Sequence, residues 1–182
     1  MSLDPATFRG VLSQYPTGVS VVATPVEGGV HAMTAGSFTS VSLDPPLVLF
    51  CVGKRARLAE LIGVGTPFSV NVLRAESQAL STYFAGSWRE STPPPHRFVP
   101  WAGVPRLEEA GAALACRTTA VVEGGDHWIV VGQVTDLHLG LAPREPLVFF
   151  NRRYHRLDAG AGESAPELEP PETPAQLFHE SW

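Results

Sequence analysis

The chain has 182 residues, of which 44% are hydrophobic and 17% charged, a composition that supports one domain with a buried core and excludes a disordered chain. Its net charge of −5 is unevenly distributed, because six acidic residues and no Lys or Arg follow Arg156. The chain up to Arg156 is therefore nearly neutral, and we expect no nucleic-acid partner, since binding nucleic acid requires a basic surface.

Cysteine and histidine patterns exclude several kinds of site. Two cysteines, Cys51 and Cys116, are too few for a disulfide framework or a cysteine-rich zinc site. The six histidines do not occur at metal-ligand spacing, so no metal site is expected. The first residues lack a signal-peptide pattern, and the longest apolar run, residues 47–52, is too short to cross a bilayer, so we expect a cytoplasmic protein without membrane association.

The first predicted element is a helix. Asp4 suits the N-cap position and Pro5 suits the first helical position. Phe8, Val11 and Leu12 then fall on one face at helical spacing. The sequence therefore predicts an amphipathic helix at the start of the chain.

The following elements are predicted to be mostly strands, because residues that favour strands dominate these short runs. The predicted strands are residues 19–24, 30–34, 47–52, 68–73, 112–123, 127–139 and 146–150. Short helices are expected at residues 56–62 and 76–85, and the proline-rich residues 87–106 are expected to form a long loop. This pattern favours a mainly β fold, a closed or nearly closed antiparallel β-barrel with a few short helices.

The chain is predicted to form one domain, residues 1–158, followed by an acidic Pro- and Glu-rich tail, residues 159–182. The tail contains the one loose match to the dinucleotide-binding pattern G-x-G-x-x-G/A, at residues 160–165. No predicted strand precedes that match, and Glu163 would repel a pyrophosphate. We therefore do not expect a Rossmann-type dinucleotide site.

Residues 34–40 form a small, hydroxyl-rich stretch that includes Thr34, Ser37 and Ser40. A basic cluster with Lys54 and Arg57 follows the next strand. If the two strands are neighbours, hydroxyls and cations face each other and would pair with a phosphate. The alternative is a structural loop whose hydroxyls form hydrogen bonds within the loop, next to basic residues that are simply exposed to solvent at the start of a helix.

Two further polar positions are candidates for function. His127 follows Asp126 at the tip of a predicted hairpin, where its ring would reach a cleft as a donor or a flat stacking surface. Asn71 lies within an apolar strand and needs a partner if it is buried. The alternatives are a surface turn for His127 and simple backbone satisfaction for Asn71.

Several segments occur in an order typical of one family. They are Tyr-Pro-Thr-Gly-Val at residues 15–19, Ser-Phe-Thr-Ser-Val-Ser-Leu-Asp-Pro-Pro at 37–46, Phe-Ser-Val-Asn-Val-Leu at 68–73, Gly-Asp-His at 125–127 and Pro-Leu-Val-Phe-Phe at 146–150. Over about residues 4–156 the chain resembles the flavin reductase family with the FMN-binding split β-barrel. These proteins are the reductase components of two-component flavin monooxygenases.

The resemblance implies a homodimer of split antiparallel β-barrels with FMN or FAD near the subunit interface. It also implies oxidation of NADH or NADPH by hydride transfer to the flavin, and release of the reduced flavin to a separate monooxygenase. His127 would be the catalytic residue, contacting the nicotinamide. The positions carried over as flavin-binding residues are Thr34, Ala35, Ser37, Ser40, Val41, Cys51, Val52, Lys54, Arg57, Asn71, Leu73, Phe84, Ala85, His127 and Tyr154.

The sequence departs from the family pattern at Gly36, where the family often has Asn. This loss of a side-chain contact bears on flavin affinity. Two alternatives therefore stay open. One is a non-enzymatic flavin-binding protein of the same fold, and the other is a reductase that retains its flavin and reduces another acceptor.

Overall fold

The computed structural model describes residues 3–140 and 145–157, so the predicted acidic tail lies outside the described residues. Among the described residues, the helices are α1 (Pro5–Leu12), α2 (Arg57–Leu61) and α3 (Gln78–Phe84), with a 3-10 turn at Ala75–Ser77 before α3. The strands are β1 (Thr17–Gly18), β2 (Ser20–Val26), β3 (Gly29–Ala35), β4 (Thr39–Leu43), β5 (Pro46–Gly53), β6 (Pro67–Val72), β7 (Phe98–Trp101), β8 (Val104–Leu107), β9 (Ala112–Gly124), β10 (His127–Leu139), β11 (Leu147–Phe150) and β12 (Arg153–Arg156).

Helix α1 begins as its sequence predicts. Asp4 Oδ2 accepts a hydrogen bond from the backbone N–H of Thr7 at 2.8 Å, and Pro5 occupies the first helical position. The apolar face, however, is exposed in the protomer, since Phe8 and Val11 keep 52% and 66% of their surface accessible. This helix therefore contributes nothing to the core of its own chain.

Seven strands form one antiparallel sheet in the order β3-β2-β6-β9-β10-β5-β4. The two edge strands, β3 and β4, are consecutive in the chain and are joined by residues 36–38. Because so short a link keeps the two edges close together, the sheet is rolled and is split between β3 and β4. The predicted mainly β fold is confirmed as a split barrel.

The barrel interior is filled by residues from strands across the whole sheet. Ala35 on β3, Phe50 on β5 and Phe68 on β6 belong to one buried cluster. The rings of Phe50 and Phe68 pack edge to face with centroids 5.4 Å apart. The Phe68 ring packs against Gly132 on β10. A larger residue at position 132 would collide with this ring, because a Cβ there would lie 2.4 Å from Phe68 Cζ.

A second apolar cluster lies outside the barrel. It joins the opposite face of β2 to α3, β8 and β11, through the buried residues Val19, Val21, Leu73, Leu80, Leu107, Ala110 and Leu147. Strand β2 is therefore buried on both faces, with Val22 in the barrel and Val21 in this second cluster. The three-stranded sheet β1-β11-β12 closes this side of the domain.

Most predicted elements are present, but the predicted loop at residues 87–106 is wrong in its second half. There β7 and β8 form a two-stranded hairpin in which Pro100 is paired with Pro105. Because proline lacks the backbone N–H that pairs with a neighbouring strand, the prolines in this segment led us to predict no strand. A two-stranded hairpin tolerates proline, because each strand pairs with only one neighbour and needs few backbone N–H donors. The short strands β1, β4 and β12 also lack a prediction.

Candidate functional site

The end of β5 brings three of the predicted site residues together. His127, the first residue of β10, is paired with Gly53 at the end of β5. Ser37 lies beside the same strand end, where its Oγ accepts a hydrogen bond from the Cys51 N–H at 2.9 Å and donates one to the Cys51 carbonyl at 3.3 Å. Lys54 follows directly after the strand, and its N–H donates to the Asp126 carbonyl at 3.0 Å.

These elements surround an open cleft of about 510 Å³ at the rim of the barrel. The cleft is lined by Gly53, Lys54, Arg55, Ala56, Asp126 and His127. Two cations and an imidazole therefore face one space. The arrangement suits an anionic, partly planar ligand, because cations pair with phosphate and the imidazole offers a flat surface.

The Lys54 ammonium is held by groups from the neighbouring hairpin. It forms an ion pair with the Glu123 carboxylate and lies 4.8 Å from the centre of the Trp128 ring. Glu123 and Trp128 are paired in register on β9 and β10, and so their side chains share one face of the sheet. The hydrogen bond and positive charge from Lys54 lower the pKa of Glu123, which keeps this carboxylate ionised.

His127 is oriented by its neighbour in the sequence. Its ring Nδ1–H donates to Asp126 Oδ1 at 2.7 Å, and this hydrogen bond is the main cause of a lowered pKa at Asp126. Because Nδ1 is hydrogen-bonded to Asp126, Nε2 is the ring nitrogen left for a ligand. Nε2 lies beside Gly53, 3.8 Å from the position that a Cβ at Gly53 would take. The side chain is 49% exposed, so it is accessible from solvent.

A second group of predicted residues lies against α3. Thr34 Oγ1 donates to the Ser81 carbonyl at 2.7 Å, and Ser81 Oγ lies 2.9 Å from Tyr154 Oη. Phe84 packs nearby against His96 and Phe98, with ring centroids 5.2 and 5.9 Å away. Ala85 caps α3 through its N–H to the Ser81 carbonyl. These predicted residues thus form a second group, gathered around α3.

Four predicted flavin contacts have buried side chains, namely Ala35, Val52, Asn71 and Leu73. Asn71 is 0% exposed; its Nδ2 donates to the Val21 carbonyl at 3.0 Å and to Ser69 Oγ, and its Oδ1 accepts from the Leu107 N–H at 2.8 Å. Val52 and Leu73 are also fully buried, in the barrel and in the second cluster. In this conformation these side chains present no atoms to a ligand, which favours the structural interpretation of Asn71.

The remaining predicted residues are spread along the two edge strands and α2. Ala35 lies in the barrel core, whereas Ser40 and Val41 are exposed on β4. Arg57 begins α2 on the side of β3, where its charge adds to burial in lowering the pKa of His31. The hydroxyls of Thr34 and Ser37 donate within the protein, so in this conformation they tie β3 to α3 and the residues after β3 to β5.

Sequence reasoning missed the partners of these residues. Glu123 and Trp128 contact Lys54 across the hairpin, and Ser81 links Thr34 to Tyr154. The only signal was the predicted hairpin, which brings the end of residues 112–123 and the start of residues 127–139 together; the structure shows that Glu123 is paired with Trp128. Within residues 3–140 and 145–157, no group of three or more His, Cys, Asp or Glu side chains is placed to hold a metal ion, and no helix is long and apolar enough to span a membrane.

Comparison with known proteins gives a consistent set of relatives. A family model described as the flavin reductase like domain matches residues 12–158. The chain is 38% identical over 159 residues to the NADH-dependent flavin reductase of a Rhodococcus species, covering 86% of this chain and 88% of that protein. It is 39% identical over 150 residues to the reductase component of 4-hydroxyphenylacetate 3-monooxygenase from Thermus thermophilus, covering 82% and 95%.

A solved structure agrees with this result. The NADH:FAD oxidoreductase SgcE6 of Streptomyces globisporus C-1027, in complex with NAD and FAD fragments, superimposes with a TM-score of 0.77 at 36% identity, covering 89% of this chain and 99% of that one. The family match spans most of the chain, and its residues 12–158 include both groups of predicted site residues. The chain therefore belongs to the flavin reductase like domain family.

Proposed function

We propose that the chain is an NADH-dependent flavin reductase that reduces FMN or FAD and releases the reduced flavin to a separate monooxygenase. The observation that carries this proposal is the family match over residues 12–158, together with the cleft that joins Lys54, Arg55 and His127. Relatives named as NADH-dependent reductases and as monooxygenase reductase components support the choice of hydride donor and partner.

The residues at the cleft fit a flavin and a dihydronicotinamide by their chemistry. Lys54 and Arg55 would pair with phosphate, and the half-exposed His127 ring would contact the nicotinamide and orient it. When bound, the flavin supplies the acceptor for a hydride and NADH supplies that hydride, so that one hydride and one proton convert oxidised to reduced flavin. The protein's task is therefore to position two cofactors and hold phosphate, without an acid–base pair.

Release of the product follows from the open character of the site. The cleft lies at the rim of the barrel, and two of the hydroxyls predicted to hold the flavin, on Thr34 and Ser37, already donate to backbone carbonyls. Few protein donors are then left to hold the flavin, and the affinity of a flavin for this site should be moderate. A reductase that supplies a separate oxygenase needs this property.

We also propose that the working unit is a homodimer with the flavin near the subunit interface. Apolar side chains on the outer face of the barrel wall are neighbours in register and belong to neither core cluster; they are Leu49, Val122, Ile129 and Val131. A contiguous apolar surface of this kind is typical of a protein interface. The reductase unit would comprise residues 1–158, and the protein would work in the cytoplasm, where NADH is produced.

The proposed function is tested by mixing purified protein with NADH or NADPH and with added FMN or FAD, and following the absorbance of the reduced nicotinamide. We expect flavin-dependent oxidation that is faster with NADH. No oxidation with any pairing would overturn the proposal. Protein that keeps its flavin through dialysis and turns over without added flavin would instead favour a reductase with retained flavin.

A further inference from the structure

We propose that Glu123 is a specificity-determining residue, a built-in counter-ion that competes with phosphorylated cofactors for Lys54 and so weakens their binding. The inference rests on the proposed function, because it concerns how the same cleft holds a flavin phosphate. It assigns a role to a residue on the far strand of a hairpin, 69 positions from its partner along the chain.

The Lys54 ammonium is confined by its neighbours. The Glu123 carboxylate contacts it from one side, the Trp128 ring lies 4.8 Å away, and the backbone of Lys54 is fixed by its hydrogen bond to the Asp126 carbonyl. The Lys54 side chain is only 30% exposed. A phosphate that approaches Lys54 must therefore share the ammonium with the carboxylate or displace it.

The Glu123 carboxylate is accessible to solvent. Glu123 is 69% exposed, so solvent screens its ion pair, and it loses little when it moves into water. Displacement by a phosphate is therefore feasible, at a cost in affinity of about twofold to fivefold, which is the range that exposed ion pairs contribute. A neutral ligand that does not need Lys54 would bind without this cost.

Glu123, and not the acidic residue that lines the cleft, forms the ion pair with Lys54. Asp126 is the one acidic side chain in the described lining, and it accepts the hydrogen bond from His127. Glu123 reaches Lys54 from outside that lining, on the face shared with Trp128. Removing the Glu123 carboxylate should therefore leave the Lys54 ammonium unneutralised without changing the contacts of His127 in the cleft.

The test compares Glu123→Gln with the unaltered protein, using FMN and riboflavin, which differ only in the phosphate. The amide keeps the size of the side chain and removes its charge. We expect the KM for FMN to fall about twofold to fivefold and the KM for riboflavin to stay unchanged. The difference should disappear at about 1 M salt, where charges more than about 3 Å apart are screened.

Two controls make the result specific. Glu108→Gln removes the acid of another exposed ion pair, with Arg97, which directly precedes β7, and should leave both KM values unchanged. In a Lys54→Met background, Glu123→Gln should no longer alter the KM for FMN. The folding of each variant is checked by its thermal transition.

Three results would overturn the proposal: an unchanged KM for FMN, a rise in that KM, or equal changes for FMN and riboflavin. Equilibrium titration of both flavins by fluorescence, without NADH, gives the same comparison independently of turnover. If the unaltered protein binds flavin but does not oxidise NADH, the proposed function fails, while a selective gain in FMN affinity in Glu123→Gln would still support the role of Glu123.

Discussion

Gly132 illustrates how one residue determines the packing of the barrel. A Cβ at this position would lie 2.4 Å from Phe68 Cζ and 2.7 Å from Cε1, and the Phe68 ring is itself packed against Phe50. Neither ring has space to move, because both lie in a fully buried cluster. The requirement for glycine is therefore steric.

We predict that Gly132→Ala lowers the free energy of unfolding by about 1–3 kcal/mol, the usual cost of overpacking a core. Urea denaturation of the two proteins measures the difference. Gly10→Ala is the matched control, since a Cβ at Gly10 would meet nothing within 4 Å and alanine favours a helix. Equal stability of Gly132→Ala and the unaltered protein would contradict the assignment.

The two cysteines should differ in reactivity. Burial raises the pKa of the Cys116 thiol to about 12, so almost no thiolate forms at neutral pH. Because this pKa lies above its ordinary value of 9.0, burial of Cys116 costs stability only as the pH rises past about 9, where the unfolded chain ionises.

We predict that Cys51→Ser, in which Cys116 is the one remaining thiol, does not react with a disulfide reagent at pH 8 until the protein is unfolded. Rapid reaction of the folded variant would contradict this prediction.

At the scale of elements, the link between β3 and β4 determines where the barrel is split. Ser37 bridges this link to β5 with two hydrogen bonds to the backbone of Cys51. A side chain thereby replaces the pairing that a continued strand would provide. The hydroxyl stretch therefore has a structural task next to the cleft.

We predict that Ser37→Ala loosens the link at a cost of roughly 0.5–1.5 kcal/mol for each lost hydrogen bond. Hydrogen exchange of the Cys51 amide should accelerate, because its acceptor is the Ser37 hydroxyl, and the KM for flavin should rise. Thr39→Ala is the control, since the Thr39 hydroxyl contacts only the next carbonyl, at 3.4 Å. Unchanged exchange at Cys51 would exclude the role assigned to Ser37.

At the scale of the whole molecule, two apolar surfaces are left uncovered by the part of the chain that the structure describes, residues 3–140 and 145–157. One is the exposed face of α1, and the other is the outer face of the barrel wall at β5, β9 and β10. The wall lies at the centre of the sheet, where Ile129 is paired with Cys51 on one side and Val122 on the other. A surface that includes Cys51 would bring a second protomer next to the cleft.

We predict that the protein sediments with twice the mass of one chain at micromolar concentration. Val131→Lys should shift it toward the monomer, because it places a charge in the apolar wall. Val64→Lys, at a position 74% exposed in the loop after α2, should leave the mass unchanged. Monomeric sedimentation of the unaltered protein would contradict the proposed dimer.

Local patterns in the sequence were sufficient for most of the elements. The cap at Asp4, the two β-rich runs of the β9–β10 hairpin and the apolar run of β5 depend on neighbouring residues and are visible without a fold. Strands β4 and β12, and the β7–β8 hairpin with its paired prolines, were not predicted, because their partners rather than their composition stabilise them. The position of Lys54 beside the hydroxyl stretch and His127 was also predicted, through the resemblance and the assumption that the strands are neighbours.

The partners of the polar side chains were decided by the tertiary structure alone. Asn71 forms hydrogen bonds with backbone groups on other strands, up to 50 positions away along the chain. These hydrogen bonds satisfy a buried side chain that the sequence suggests as a flavin contact. Glu123 reaches Lys54 only because β9, β10 and β5 pair in one register. Periodicity and caps are short-range properties that one segment carries by itself. Hydrogen bonds and ion pairs between distant segments depend on how the sheet rolls, and only the folded chain specifies that.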